Sequence, residues 1–311
     1  MLLKQTLQMM DLLDDAAVNG AKIVDLFSAF EGVEVSYQKV GNEKSSTDAI
    51  KILIKGDSGR SNGLSSPTLG VIGRLGGIGA RPARIGLVSD GDGAIAALTT
   101  ALKLCEMQQK GDRLPGDIIV TTHICPHAPV QPHMPVEFMG SPIDMKTMNQ
   151  YEVDPNCDAI LSIDTTKGNN IMNHKGFAIS PVVKEGYILP VCPDLIRIME
   201  MTSGQLAEVF PLSMQDITPY ANEVYHLNSI LQPATDTKAP VVGVAITTAT
   251  AVAGSATGAS HEVDIAAAAT FAVEAAKEFT QGKFAFYDQV EYDKLLELYG
   301  SMTHLQSLGG N

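Results

Sequence analysis

The chain has 311 residues, 45% of them hydrophobic, no tryptophan, a formal net charge of -13 and a pI near 4.9. That length supports a self-sufficient α/β domain, and an acidic chain with no basic run excludes a surface built to track a phosphate backbone. No apolar run reaches the roughly 18 residues that a membrane span needs.

The N-terminus lacks the charged-then-apolar order of a signal peptide. Cys105, Cys125, Cys157 and Cys192 have no zinc-knuckle or redox spacing. Reduced thiols in a cytoplasmic protein are therefore expected, with neither nucleic acid nor membrane as a partner.

Apolar residues recur at helical spacing from Leu3 to Phe30, with Gly20 as a weak point or a break between two helices. Val33 to Val40 alternates with period two and predicts a half-buried strand; Gly41 to Ser46 is turn-rich. Ala49 to Asp57 predicts a β-branched strand that ends in Lys55-Gly56-Asp57.

Residues 58–80 are rich in Gly and Ser and carry Arg60 and Arg74, with Arg81 just beyond. This composition fits either a ligand-covering loop or a poorly ordered surface excursion. In the first case Arg74 contacts substrate. Gly73 to Gly79 lacks the Lys-Ser/Thr ending of a phosphate-cradling loop.

Arg84 to Leu98 reads as a strand, a tight turn holding Asp90 and Asp92, and a helix running to about Gln109. Carboxylates at the end of a strand lie where open α/β sheets bind ligands, although Asp92 also suits a helix cap. Asp117 to His127 predicts a strand ending in His123, Cys125 and His127, with His133 close behind. Imidazole and thiolate suit zinc-like metals, and exposed loop histidines are the alternative.

Pro126 to Pro142 reads as a rigid, proline-rich loop. Cys157 to Gly168 is a buried-strand pattern that places Asp164 at its end, and Phe177 to Val183 predicts another strand. Pro193 opens a helix to Thr202. Ala239 to Thr248 is the last core strand, followed by a small-residue loop and an Ala-rich helix from His261 to about Phe279. A neutral, ligating His261 fits that helix N-terminus, and so does an ordinary first-turn residue. Strands alternating with helices argue for helices on both faces of a mixed or mostly parallel sheet.

The order of these elements resembles the zinc-dependent aminopeptidase superfamily of phosphorylase/hydrolase-like fold, which includes glutamyl and deblocking aminopeptidases. More narrowly, the chain resembles an uncharacterised prokaryotic family of about this length. The resemblance implies one α/β domain over residues 1–311, with three α/β/α layers around a mixed, mostly parallel sheet.

Asp90, ahead of Gly93, resembles the peptidases' metal-bridging Asp. Asp164 in Leu161-Ser162-Ile163-Asp164 resembles their late Asp ligand, and His261 in Gly258-Ala259-Ser260-His261 their last His. Lys55-Gly56-Asp57 stands where those peptidases have His-x-Asp, and Pro126-His127 where they have Glu-Glu.

The resemblance thus implies a metal-dependent hydrolase of a small peptide-like or amide substrate. Zinc or another divalent metal would be held by Asp90, His127, Asp164 and His261. Lys55 would replace a lost metal and hold a substrate carboxylate beside Asp57. His123, Glu137 or His133 would serve as general base, because proton abstraction from a metal-bound water needs a carboxylate or imidazole in reach. Relatives of this fold assemble into homo-oligomers. Two alternatives stand beside this reading: a metal-free or inactive binding relative, and a Cys125 nucleophile helped by His123 or His127.

Overall fold

A computed structural model describes residues 2–41, 45–227, 229–252 and 254–308. Among these the strands are β1 (Val33–Gly41), β2 (Ser46–Ile54), β3 (Leu69–Gly73), β4 (Ile118–Ile124), β5 (Val130–Gln131), β6 (Phe138–Met139), β7 (Ala159–Thr165), β8 (Gly176–Ile179), β9 (Val182–Lys184), β10 (Tyr187–Leu189) and β11 (Val241–Thr247). The helices are α1 (Leu3–Asp14), α2 (Gly20–Phe27), α3 (Asp92–Gln109), α4 (Met145–Glu152), α5 (Pro193–Ser203), α6 (Glu262–Thr280) and α7 (Gln289–Tyr299). The turn expected at residues 42–44 lies outside the described residues.

One large mixed sheet runs in the order β1-β2-β4-β3-β7-β11-β9-β10, with β8 also paired to β11. Its centre, β4-β3-β7-β11, is parallel. The β1–β2 hairpin adds antiparallel strands on one side, and β8, β9 and β10 do so on the other. Buried side chains on the two faces belong to separate clusters. Val242, Val244 and Ile246 join Phe271 and Leu98 in one cluster, while Val241 and Ala245 join Ile230 and Phe210 in the other. A period of two in a strand covered on both sides produces this division.

The strand expected over residues 84–89 is not there; that stretch is irregular, and a short 3-10 turn at Ser89–Gly91 leads into α3. The strand that feeds the turn is instead β3, buried along its whole length inside the Gly/Ser-rich window assigned to a loop. Its glycine reports crowding. A Cβ on Gly70 would come within 2.7 Å of the Cys157 sulfur. Helix α3 packs as tightly, since a Cβ on Gly93 would sit 1.9 Å from the Arg74 carbonyl oxygen. Glycine here marks close approach of backbones.

Two further helices, α4 and α7, escape the sequence reading. Helix α4 is mostly polar and is anchored by its cap, in which Asp144 accepts the Thr147 N–H at 2.7 Å. Of the histidine strand, only the part to Ile124 is regular, so Cys125 and His127 lie beyond it.

Candidate functional site

The parallel strands end on one rim of the sheet, and a cavity of about 600 Å³ opens there. Asp90, Asp164, Lys167, Ser229 and Tyr220 are among its lining residues. Asp164 comes from β7, on the same face as Ser162 and Ile160, two and four residues earlier. Asp90 comes from the turn before α3. Both side chains are buried.

Neither carboxyl has an ion-pair partner among the described residues, and each is held by neutral donors. Ser229 Oγ donates to Asp164, as does the Thr165 N–H at 2.7 Å. Asp90 is held by Ser255 and by the Gly77 N–H. Burial pushes Asp164 up to about 7 against the opposing pull of Ser229, Thr165 and Arg74. Asp90 is raised well above the carboxylate range by burial, then by the nearby charges of Asp164 and Asp92. Burial thus favours the protonated form of both acids relative to an exposed carboxyl.

Asp92, the first residue of α3, is buried and meets Lys167 Nζ at 2.7 Å and Ser260 Oγ at 2.5 Å. The helix N-terminus favours its negative charge. The sequence places Asp92 either beside Asp90 at a strand end or as a helix cap, and gives no role to Lys167, Ser229 or Ser260. Strand-end pattern could have flagged Lys167, three residues past Asp164; nothing local points to the two serines.

Behind the cavity wall lies a second polar group. Arg74 follows β3 and His123 lies in β4, both facing α4. Glu152 Oε2 is 2.8 Å from Arg74 Nε, and its other oxygen meets His123 Nδ1. His123 Nε2 accepts the Gly76 N–H at 3.1 Å, which leaves the ring proton on Nδ1. Arg74 also donates to Asn149 and lies against the Met145 and Met148 sulfurs. Arg74, His123 and Glu152 are all nearly inaccessible. This arrangement fixes the backbone at Gly76, next to the Gly77 N–H that holds Asp90.

The residues expected to form the site separate into groups. Asp90 and Asp164 meet at one cavity. His261 reaches the same rim, one residue after Ser260, but its half-exposed ring lies 4.0 Å from Asp264. His127 is exposed beside a different cavity, with Asp48 and Cys125. The four positions therefore do not converge as a ligand set.

Lys55 and Asp57 are at the opposite rim. Strand β2 runs antiparallel to β4 and pairs Ile54 with Ile118, the first residue of β4. Lys55 is ion-paired with Glu34, and Asp57 is exposed. The residue that follows β3, the strand preceding Asp90 on this rim, is Arg74 and not Lys55.

Arg74 is walled off from solvent, His123 has both ring nitrogens occupied, and Glu137 is ion-paired with Arg84. His133 does line the cavity, its ring tilted against Phe138 with centroids 3.9 Å apart. Burial pushes the Cys125 thiol up to about 11, which leaves almost no thiolate at neutral pH. All four cysteines are free and buried.

A zinc-type site needs at least three protein ligands. Among the described residues no three His, Cys, Asp or Glu side chains come together to hold an ion. The possible donors lining the cavity are two carboxyls, Asp90 and Asp164, and one imidazole, His133, which do not come together as an ion-binding group among the described residues. Among the described residues no helix is long and apolar enough to cross a membrane.

A search among curated proteins finds no match. One family covers most of the sequence, matching residues 38–309, and it is described as a protein of unknown function, DUF1177. The chain belongs to that family.

Proposed function

We propose that the rim cavity is the active site of a hydrolase for a small peptide-like or amide substrate, with Asp90 and Asp164 as its proton-handling pair. The observation that carries this reading is two buried carboxyls, without cationic partners among the described residues, facing one cavity. Arg74 favours the charged form of Asp164, while Asp164 and Asp92 favour the neutral form of Asp90. Environments that push two acids apart assign their roles.

Asp164 takes a proton from water as the water oxygen bonds to the amide carbon. Asp90 gives its proton to the departing nitrogen as the carbon–nitrogen bond breaks. Water thus ends divided between the acid and amine products, and one proton returns from Asp164 to Asp90. The finer arrangement in this reading is three-layered and aminopeptidase-like, with the ion-binding set of such enzymes reduced to these two acids.

Release of amine from short peptides, N-acylated amino acids and cyclic amides tests it. Turnover is expected to persist in chelator and to rise through pH about 7 as Asp164 loses its proton. Asp164→Asn and Asp90→Asn are each expected to lower kcat by about 100-fold or more. Turnover that appears only with added zinc, cobalt or manganese would replace the carboxyl pair by a bound ion. Saturable binding with no release would favour the binding relative.

A further inference from the structure

Lys167 has no part in the chemistry above, yet it is the one lysine or arginine among the described residues lining the cavity. Its side chain is 5% exposed and its ion-pair partner Asp92 0%. Burying an ammonium is costly unless it is paired and its donors are filled. Asp92 Oδ2 is the hydrogen-bond partner of Nζ among the described residues. An ammonium has three N–H donors, so among the described residues two are left to meet a ligand in the cavity.

The position is rigid from both sides. Ser260 holds the other Asp92 oxygen, and the backbone after Lys167 is fixed by the Gly168 N–H on Thr248 Oγ1 at 2.8 Å. The Thr166 N–H bonds the Ile246 carbonyl at 2.8 Å. A cation held this way meets an oxygen anion without reorganising.

We infer that Lys167 is the carboxylate anchor of the cavity, and that its ligand is a small amide carrying a free carboxylate, such as an N-acylated amino acid or a dipeptide. This rests on the hydrolase reading for the amide and on Lys167 alone for the carboxylate. The cavity also offers uncharged hydrogen-bonding groups, Thr165, Asn169, Tyr220 and Ser229. A volume of about 600 Å³ suits a molecule of that size. The carboxylate seats at Lys167 and the amide reaches Asp90 and Asp164.

The test is a matched panel: N-acetylated amino acids and N-acetylated dipeptides, each as the free acid and as the C-terminal carboxamide. Binding is measured by calorimetry on wild type, Lys167→Met, the doubly neutral Lys167→Met/Asp92→Asn, and Asp164→Asn. The double variant leaves no buried charge unpaired, and circular dichroism checks that it folds. At least one free acid is expected to bind wild type ten times or more tighter than its carboxamide. That preference disappears in the double variant and survives in Asp164→Asn.

Equal binding of acid and carboxamide, binding of neither, or a preference that outlives loss of Lys167 would overturn the anchor. The two readings fail separately. Acids that bind through Lys167 and are never cleaved sink the hydrolase and leave the anchor. Amides cleaved with the same KM whether or not they carry a carboxylate do the reverse.

Discussion

At the residue scale, the surroundings of Asp164 oppose its ordinary chemistry. Its ordinary value is 3.8 and the fold raises it to about 7. A raised acid stabilises the fold below its unfolded value, and that contribution is lost as pH climbs through the folded value. Native stability should therefore carry a penalty from Asp164 that grows between pH about 4 and about 7. Its upper bound is about 4 kcal/mol, because each tenfold change in proton affinity is worth about 1.4 kcal/mol. Urea unfolding of wild type and Asp164→Asn at pH 5 and pH 8 checks this. The variant should gain on wild type at pH 8, and parallel curves at both pH values would remove the claim.

The same scale shows what can be read from sequence. Asp90 and Asp164 are legible because an acid ending an apolar run stands out. His123 is legible as a chemical group but not as a structural one, because Glu152 and the Gly76 N–H that occupy it come from distant segments. Ser229 and Ser260 carry no local signal at all. They matter only because the fold carries them to Asp164 and Asp92.

At the scale of elements, the histidine strand, the late strands and the Ala-rich helix follow from periodicity. Strand β3 does not, because two of its five residues are glycine and composition masks a strand that close packing requires. Helix α4 escapes because few of its side chains face a core. The first turn of α3 offers a direct test of that packing. Gly93→Ala would place a methyl against the carbonyl oxygens of Arg74 and Ile163, 1.9 and 2.5 Å from its Cβ. Overpacking at backbone costs about 1–3 kcal/mol. Thermal unfolding of the variant should show a loss in that range, and the loss of turnover should exceed it because Asp90 lies three residues away.

At the scale of the whole molecule, strand direction decides which residues can cooperate. The parallel centre delivers Arg74, His123 and Asp164 to one rim, while the reversed β2 carries Lys55 and Asp57 to the other. A motif search ordered by sequence alone cannot see that reversal. Lys55→Ala should therefore leave kcat and KM within about twofold of wild type. A large loss would mean that Lys55 reaches the chemistry, contrary to its place beside Glu34.

The row of contacts from Gly76 through His123, Glu152, Arg74 and Asn149 to Asp236 has a bearing on how such a scaffold can change. From Gly76 to Asn149 each member completes its neighbour away from water, so exchanging any one strands another, and exposed Asp236 closes the row at the surface. Diversification is thereby channelled elsewhere: new selectivity can be acquired at Tyr220, Tyr225 and Val252 on the overhanging loops, while the ground beneath them stays as it is.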